Sequence, residues 1–260
     1  MRSTAGPATP ARAAIGRPAR APAKSTRNGH VAGQPACPVH GGIDEAGRGP
    51  VMGPLVVAGV ACADPAALHR VGCRDSKTLS PARRVRLARL LRDDPSVHIE
   101  VRSVAPEALD LERASMSLNA IEVRRFRDIA CALAEAGARR ICVDAADVDA
   151  DRFGRQVAAG LAAGVRVESR HRADGDDPCV AAASIVAKVA RDDAVATLAR
   201  RLERRIGRPL GTGYPSDPKT QAFLAAWVAR HGDLPEGTRR SWRTARDLLA
   251  PRPTRLDAFA

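Results

Sequence analysis

Residues 42–59 read GIDEAGRGPVMGPLVVAG, and the division of this stretch into strand, connection and strand decides the fold. Residues 55–62 are rich in aliphatic side chains, Ile43 stands in the short run 42–44 before them, and Gly47, Gly49, Pro50, Gly53 and Pro54 punctuate the interval between. Such runs bounded by glycine and proline read as strands joined by a turn, and a hairpin is the simplest geometry. The first strand ends in two acids, Asp44 and Glu45, which places carboxylates on the rim of a sheet. Neighbours in a regular strand point to opposite faces. Both acids can therefore reach one site only if the strand ends or twists there, as Ala46-Gly47 would permit.

Downstream, Ser80 stands as a cap before Pro81, and Val85, Leu87, Leu90 and Leu91 give helical spacing that ends before Pro95. Residues 97–104 alternate as a strand with Val97, Ile99 and Val101 on one face. Leu118, Ile121, Phe126, Ile129 and Leu133 predict a long amphipathic helix over residues 117–136, stopped by Gly137. Residues 141–144 read as a short buried strand, 153–161 as a helix and 165–169 as another strand. Asp177-Pro178 and Asp217-Pro218 each supply a cap and a first-turn proline to a further helix. This order implies an α/β fold, a mixed sheet flanked by helices with a helical C-terminal extension. The expected organisation is a disordered basic arm over residues 1–40, a catalytic domain over 41–193 and the extension over 194–260.

Carboxylates at strand ends carry the chemistry. Asp144 closes the run ICVD and Asp174 follows VRVESRH, so with Asp44 and Glu45 four acids are expected on one rim. Like charges there repel unless a cation lies between them, and acids without His or Cys select hard ions, Mg²⁺ or Mn²⁺ rather than Zn²⁺. Two such ions can activate water and hold a scissile phosphate with no side-chain nucleophile. Asp147, Asp149 and Asp151 fall past the strand and take second place to Asp144. Gly47, Arg48 and Gly49 let backbone approach a ligand closely, although a lone GRG also suits an ordinary turn.

The chain has four Lys against 38 Arg, and Lys77, Lys188 and Lys219 stand among small polar residues and acids, where a compact ammonium suits phosphate. Ser184 and Lys188 lie four apart on one helix face and can reach phosphate together, though Ser184 also suits a bond back to a carbonyl. Tyr214, the only tyrosine, sits in GTGYPSDPKT, where its ring is either exposed to stack on a sugar or base or packed on Pro215.

A chain of 260 residues with 45% apolar content can bury a real core, and its formal charge of +13 favours a polyanionic partner. Charge alone does not separate nucleic acid from an acidic membrane surface. Residues 1–40 hold six Arg or Lys, no acid and no hydrophobic periodicity, a composition that stays disordered. They lack the apolar core of a secretory signal, and the longest apolar run, residues 54–63, is too short to span a bilayer. The arm mimics an organelle transit peptide, but its prolines spoil an amphipathic helix, so a cytoplasmic monomer without membrane contact or obligate protein partner is expected. Cys37, Cys62, Cys73, Cys131, Cys142 and Cys179 show no CxxC spacing and read as free core thiols in a reducing compartment. Cys37 and His40 form a C-x-x-H pair, but with no second pair at a convincing distance it reads as no zinc site.

GIDEAGRGPVMGPLVVAG, DSKTLS, CVDAADVD, HRADGDDPCVAAASIVAKVARD and GTGYPSDPKT occur in the order and rough spacing of ribonuclease HII, covering about Gly41 to Thr220. The resemblance implies a ribonuclease H-like fold and an endonuclease that cuts the RNA strand of RNA–DNA hybrids. It also implies incision 5′ to ribonucleotides embedded in duplex DNA, leaving 5′-phosphate and 3′-hydroxyl ends. Asp44, Glu45, Asp144 and Asp174 resemble the family's metal-binding catalytic acids. Gly47, Arg48 and Gly49 resemble the loop that contacts the 2′-hydroxyl side of a ribonucleotide, the group that separates RNA from DNA. Tyr214 resembles the tyrosine that stacks on the deoxyribose beyond the junction. The 30-residue interval from Asp144 to Asp174 looks archaeal or eukaryotic, and the GRG form argues against ribonuclease HIII. The arm, and Asp176 and Asp177 beside Asp174, depart from the family pattern. Two rival readings are a non-catalytic basic nucleic-acid-binding protein, which needs no acid cluster, and another two-metal nuclease on the same fold, which needs neither GRG nor Tyr214.

Overall fold

Five strands, β1 (Val39–Ala46), β2 (Leu55–Cys62), β3 (Val97–Val104), β4 (Ala138–Asp144) and β5 (Arg166–Arg170), form one sheet in the order β3-β2-β1-β4-β5. β1 pairs antiparallel with β2, and β2 with β3, whereas β1–β4 and β4–β5 are parallel. The hairpin and the mixed sheet are thus as expected. The computed structural model describes residues 39–74 and 76–250. The basic arm, apart from Val39 and His40 in β1, lies outside the described residues, as does Cys37.

Alternation along β2 explains why every one of its residues is buried. Val56, Ala58, Val60 and Cys62 pack on one side against α6 (Pro178–Ile206), α2 (Pro81–Asp93) and α1 (Pro65–Val71). Val57 and Ala61 pack on the other against Phe126, Ile129 and Leu133 of α4 (Leu118–Glu135), with Phe153 of α5 (Ala150–Ala158) beside them. Each large side chain buried there contributes about 1.5–3 kcal/mol of transfer free energy. Ser80 caps α2 and Asp177 caps α6, as the sequence predicts, and Ser117 caps α4. α5 starts earlier than its apolar spacing suggests because Asp149 accepts from the Arg152 N–H and caps it. α1, α3 (Pro106–Arg113) and α8 (Arg243–Leu249) are too short for periodicity to reveal.

The strand carrying Asp44 and Glu45 does not end at them. It stays in register through Ala46, with Asp44 opposite Ala58 and Glu45 opposite Val57. On the α6 side, Gly42 lets the first turn of that helix lie directly on β1, since a Cβ there would fall 2.1 Å from the Val180 nitrogen. α6 runs unbroken for 29 residues, so the boundary expected near residue 194 falls inside a helix. Its second half packs Val195, Leu198 and Leu202 against Phe223, Leu224 and Trp227 of α7 (Pro218–His231), and this cluster reaches back to Val51 and Met52. No described helix is long and apolar enough to cross a membrane.

Candidate active site

β1 and β4 run parallel with Ile43 beside Val143, so Asp44 and Asp144 are the next pair at the carboxyl ends of adjacent strands. Ligands of open α/β sheets bind at that edge. After β5 the chain turns through Arg172 at φ 57, and a short 3₁₀ turn over Ala173–Gly175 brings Asp174 back to the same edge. The Ala173 N–H donates to Asp144 Oδ1 at 3.1 Å and ties the two segments together. Asp44, Asp144 and Asp174 each place a carboxylate oxygen within 4.8 Å of the others, with Asp44 and Asp174 buried.

Glu45 lines a groove at the same edge and lies close enough to Asp44 for their side chains to hydrogen-bond, but it comes from the other face of the strand. Because β1 stays regular, the pleat turns Glu45 away from the α6 side, and it is not one of the three converging acids. Its carboxyl is pushed well above the usual range by burial, then by the charges of Asp44, Glu122 and Asp144, so it stands beside the trio. Burial also raises Asp44, opposed mainly by Lys188, and raises Asp144 to about 6 with help from the Asp44 charge. Buried carboxylates held this close suit a hard divalent cation, which would offset the desolvation and the mutual repulsion.

Of the three lysines singled out, Lys77 and Lys188 are at the site, and Lys219, in the first turn of α7, does not line the groove. Lys188 Nζ lies 4.0 Å from Asp44 Oδ2, and Lys77 Nζ lies 3.6 Å from Asp174 Oδ2. Ser184 corrects the expectation that it reaches phosphate beside Lys188. It is fully buried, contacts the Ser76 hydroxyl at 2.9 Å and accepts from Lys188 Nζ at 2.6 Å, so it holds the ammonium in place. Asp147 accepts from Arg152 and stands outside the acid trio.

Gly47, Arg48 and Gly49 form one wall of this groove, which also includes Lys77, Lys188, Arg191 and Tyr214. Gly47 has φ 91 and packs so closely on Pro54 that a Cβ would fall 2.5 Å from its carbonyl oxygen. Tyr214 is 39% exposed, with its ring 5.0 Å from the Arg191 guanidinium and its edge facing Gly49. The exposed alternative for Tyr214 is the one observed. The Gly213 carbonyl accepts from the Val51 and Met52 N–H groups, which fixes the tyrosine segment to the loop.

Three residues that build this groove escape a reading of the sequence. Arg239 is fully buried and donates to the Gly47, Arg48 and Gly53 carbonyls. Arg191 is buried and donates to the Thr212 carbonyl. Glu122, fully buried, pairs with the Arg48 side chain, which also donates to Asn119 Oδ1 at 2.7 Å. A charge beside Ile121 on the apolar stripe of α4 was the one legible signal; among 38 arginines, Arg191 and Arg239 offer none.

Burial lifts Glu122 to about 7, against the Arg48 charge. The folded chain therefore keeps a proton that the unfolded chain releases between about pH 4.5 and 7, and stability falls as pH rises through that window. Glu122→Gln is expected to remove this share of the slope. Urea midpoints at pH 5 and 8 in EDTA, compared with those of the unsubstituted chain, check it; an unchanged difference would refute it.

The family model for ribonuclease HII matches residues 41–245. Ribonuclease HII of Haloarcula marismortui is 45% identical over 209 residues, covering 80% of this chain and 94% of that protein. A solved PCNA:RNase HII complex from Archaeoglobus fulgidus superposes with TM-score 0.70 at 40% identity, covering 85% of this chain and all of that one. Ribonuclease H2 from Pyrococcus horikoshii gives TM-score 0.71 at 36% identity, covering 81% and 97%. Bst-RNase HIII, at 22% identity and TM-score 0.66, shares the fold. A match over most of the chain, with relatives at these identities, shows that the protein belongs to the ribonuclease HII family, metal-dependent hydrolases that cleave RNA in RNA–DNA hybrids.

Proposed function

We propose that this chain also incises duplex DNA 5′ to embedded ribonucleotides, and that it works with two divalent ions, Mg²⁺ or Mn²⁺, leaving 5′-phosphate and 3′-hydroxyl ends. The observation that carries this reading is the convergence of Asp44, Asp144 and Asp174 beside a groove walled by Gly47–Gly49 and Tyr214. When bound, such ions supply an activated water and charge neutralisation at the scissile phosphate. The three aspartates, with Glu45 beside them, are the residues that would hold them. Lys77 and Lys188 face two of those aspartates and balance charge when the ions are away. They are also placed to steer a phosphate to the edge of the sheet.

The close-packed Gly47 exposes backbone rather than side chain to the groove, the arrangement that can test for a 2′-hydroxyl. Tyr214 offers a ring on which a sugar beyond the ribonucleotide stacks. An end-labelled DNA duplex carrying one ribonucleotide tests the reading in Mg²⁺, Mn²⁺ and EDTA, beside an all-DNA control. Metal-dependent incision 5′ to the ribonucleotide alone is expected. No incision by folded protein would favour a binding protein, and cutting of the control would favour another two-metal nuclease. The complex of the Archaeoglobus fulgidus relative further supports a protein partner of the PCNA type for this chain, checked by co-elution of the two.

A further inference from the structure

A second group of donors lies at the other end of β1. His40 Nε2 and Asp177 Oδ2 are 2.7 Å apart, and Cys179 Sγ completes a set in which each ligand atom is within 4.8 Å of the others. Cys62, opposite His40 in the β1–β2 register, places its Sγ 3.8 Å from Cys179 Sγ. All four residues are buried, and all four are polar or thiol groups taken out of water together. His40 and Asp44 are separated by about 13 Å along the strand, at about 3.3 Å per residue. The group is therefore distinct from the carboxylate trio.

The geometry points to a structural Zn²⁺ site formed by His40, Asp177 and Cys179, which Cys62, its Sγ 3.8 Å from that of Cys179 but outside the converging three, completes as fourth ligand by a rotation of its side chain. One imidazole, one carboxylate and two thiolates are a borderline-to-soft donor set, opposite in preference to the all-oxygen trio. Two zinc–sulfur bonds of about 2.3 Å at a tetrahedral angle separate their sulfurs by about 3.8 Å, the spacing already present. Binding releases the two thiol protons to solvent and leaves the His40 proton on Nδ1, freeing Nε2 for the metal. Two thiolates, one carboxylate and Zn²⁺ then carry a net charge of about −1. Arg170, 3.9 Å from Asp177 Oδ2, offsets that charge in the buried setting. His40 gains its partners from the fold and not from its neighbours in sequence, since Asp177 lies 137 residues away.

Such a site would pin the first turn of α6 to the start of β1 and the end of β2. Asp177 follows Asp174 by three residues, so the same pin braces the turn that presents Asp174.

Co²⁺ alone, titrated into the reduced, metal-freed full chain, tests the site through its absorption spectrum. One equivalent should give thiolate-to-cobalt charge-transfer absorption with intense tetrahedral d–d bands, displaced by Zn²⁺; cobalt on the carboxylates gives neither. Cys179→Ser and His40→Asn should abolish the tetrahedral spectrum and Cys62→Ser should roughly halve the charge-transfer band, whereas Asp144→Asn and Cys37→Ser should leave both unchanged. Zn²⁺ should also raise the melting temperature of the full chain and not that of Cys179→Ser, with folding of each variant checked by circular dichroism. The site is overturned if the folded, reduced chain shows no thiolate band, or if the band survives Cys179→Ser and His40→Asn. Loss with Cys37→Ser alone overturns it too, as does recovery of Cys62 and Cys179 as a disulfide whose reduced form takes no cobalt.

Discussion

Asp144→Asn is expected to lower cleavage of an RNA–DNA hybrid by on the order of 10³-fold or more while leaving duplex affinity in EDTA within a few-fold of the starting value. The rate effect follows from the several kcal/mol that a correctly held metal contributes to the transition state, at about 1.4 kcal/mol per tenfold. The same substitution should make the metal-free protein more stable at neutral pH. Asp144 titrates near 6 in the fold because of burial and the neighbouring Asp44, above its value in an unfolded chain. Between about pH 4 and 6 the folded state holds the extra proton, so stability falls as pH rises and the cost stays in place above that range. Asn carries no charge to desolvate, and the expected gain at pH 8 is about 1 kcal/mol after allowing for the solvent-facing part of the carboxylate. Rates with Mg²⁺ and urea midpoints in EDTA read the two effects separately. Retained cleavage, or a lower midpoint in EDTA, would show that Asp144 is structural.

Arg239→Met is expected to cost about 3–5 kcal/mol of stability, the scale of losing a charged partner from a buried polar network. Arg239 is 0% exposed, and its guanidinium reaches Gly53 at 3.0 Å, Arg48 at 3.1 Å and Gly47 at 2.6 Å while lying 4.8 Å from the Trp242 ring. Burial lowers its pKa to about 10, still charged at neutral pH. Met fills the volume and keeps the ring contact but leaves three carbonyls without their donor. Arg239→Lys should fail nearly as badly, since one ammonium cannot reproduce a planar fork serving three acceptors. Because those acceptors belong to the Gly47–Gly53 loop, surviving protein should show a raised KM for hybrid with a smaller change in kcat. Urea unfolding and initial rates measure both, and a midpoint equal to that of the unsubstituted chain would refute the assignment.

What could be read in the sequence was whatever depends on neighbours along the chain. The β1–β2 hairpin follows from one glycine- and proline-broken stretch, and the caps at Ser80, Asp177 and Asp217 from single residues beside helix starts. Asp44, Asp144 and Asp174 announce themselves because each terminates or follows an apolar strand. Glu45 was legible as an acid but not as the odd one out, since its position turns on whether β1 stays pleated through Ala46. Ser184 shows the same limit. Helical spacing puts it beside Lys188, yet only the approach of Ser76 determines that it faces inward. Arg191, Glu122 and Arg239 act across 21, 74 and as many as 192 residues, and no local pattern marks them.

α6 spans about 43 Å at about 1.5 Å per residue, from the cap beside Asp174 to the Gly207 turn. It acts as a ruler rather than a tether. Inserting one residue near its middle would swing everything beyond by about 100° and shift it by about 1.5 Å, carrying Tyr214 off the groove. Homologous lobes could therefore be exchanged only at a matched helical phase, and drift in the length of this lineage's chain should accumulate in loops and tails while the count of residues from Pro178 to Ile206 stays constant.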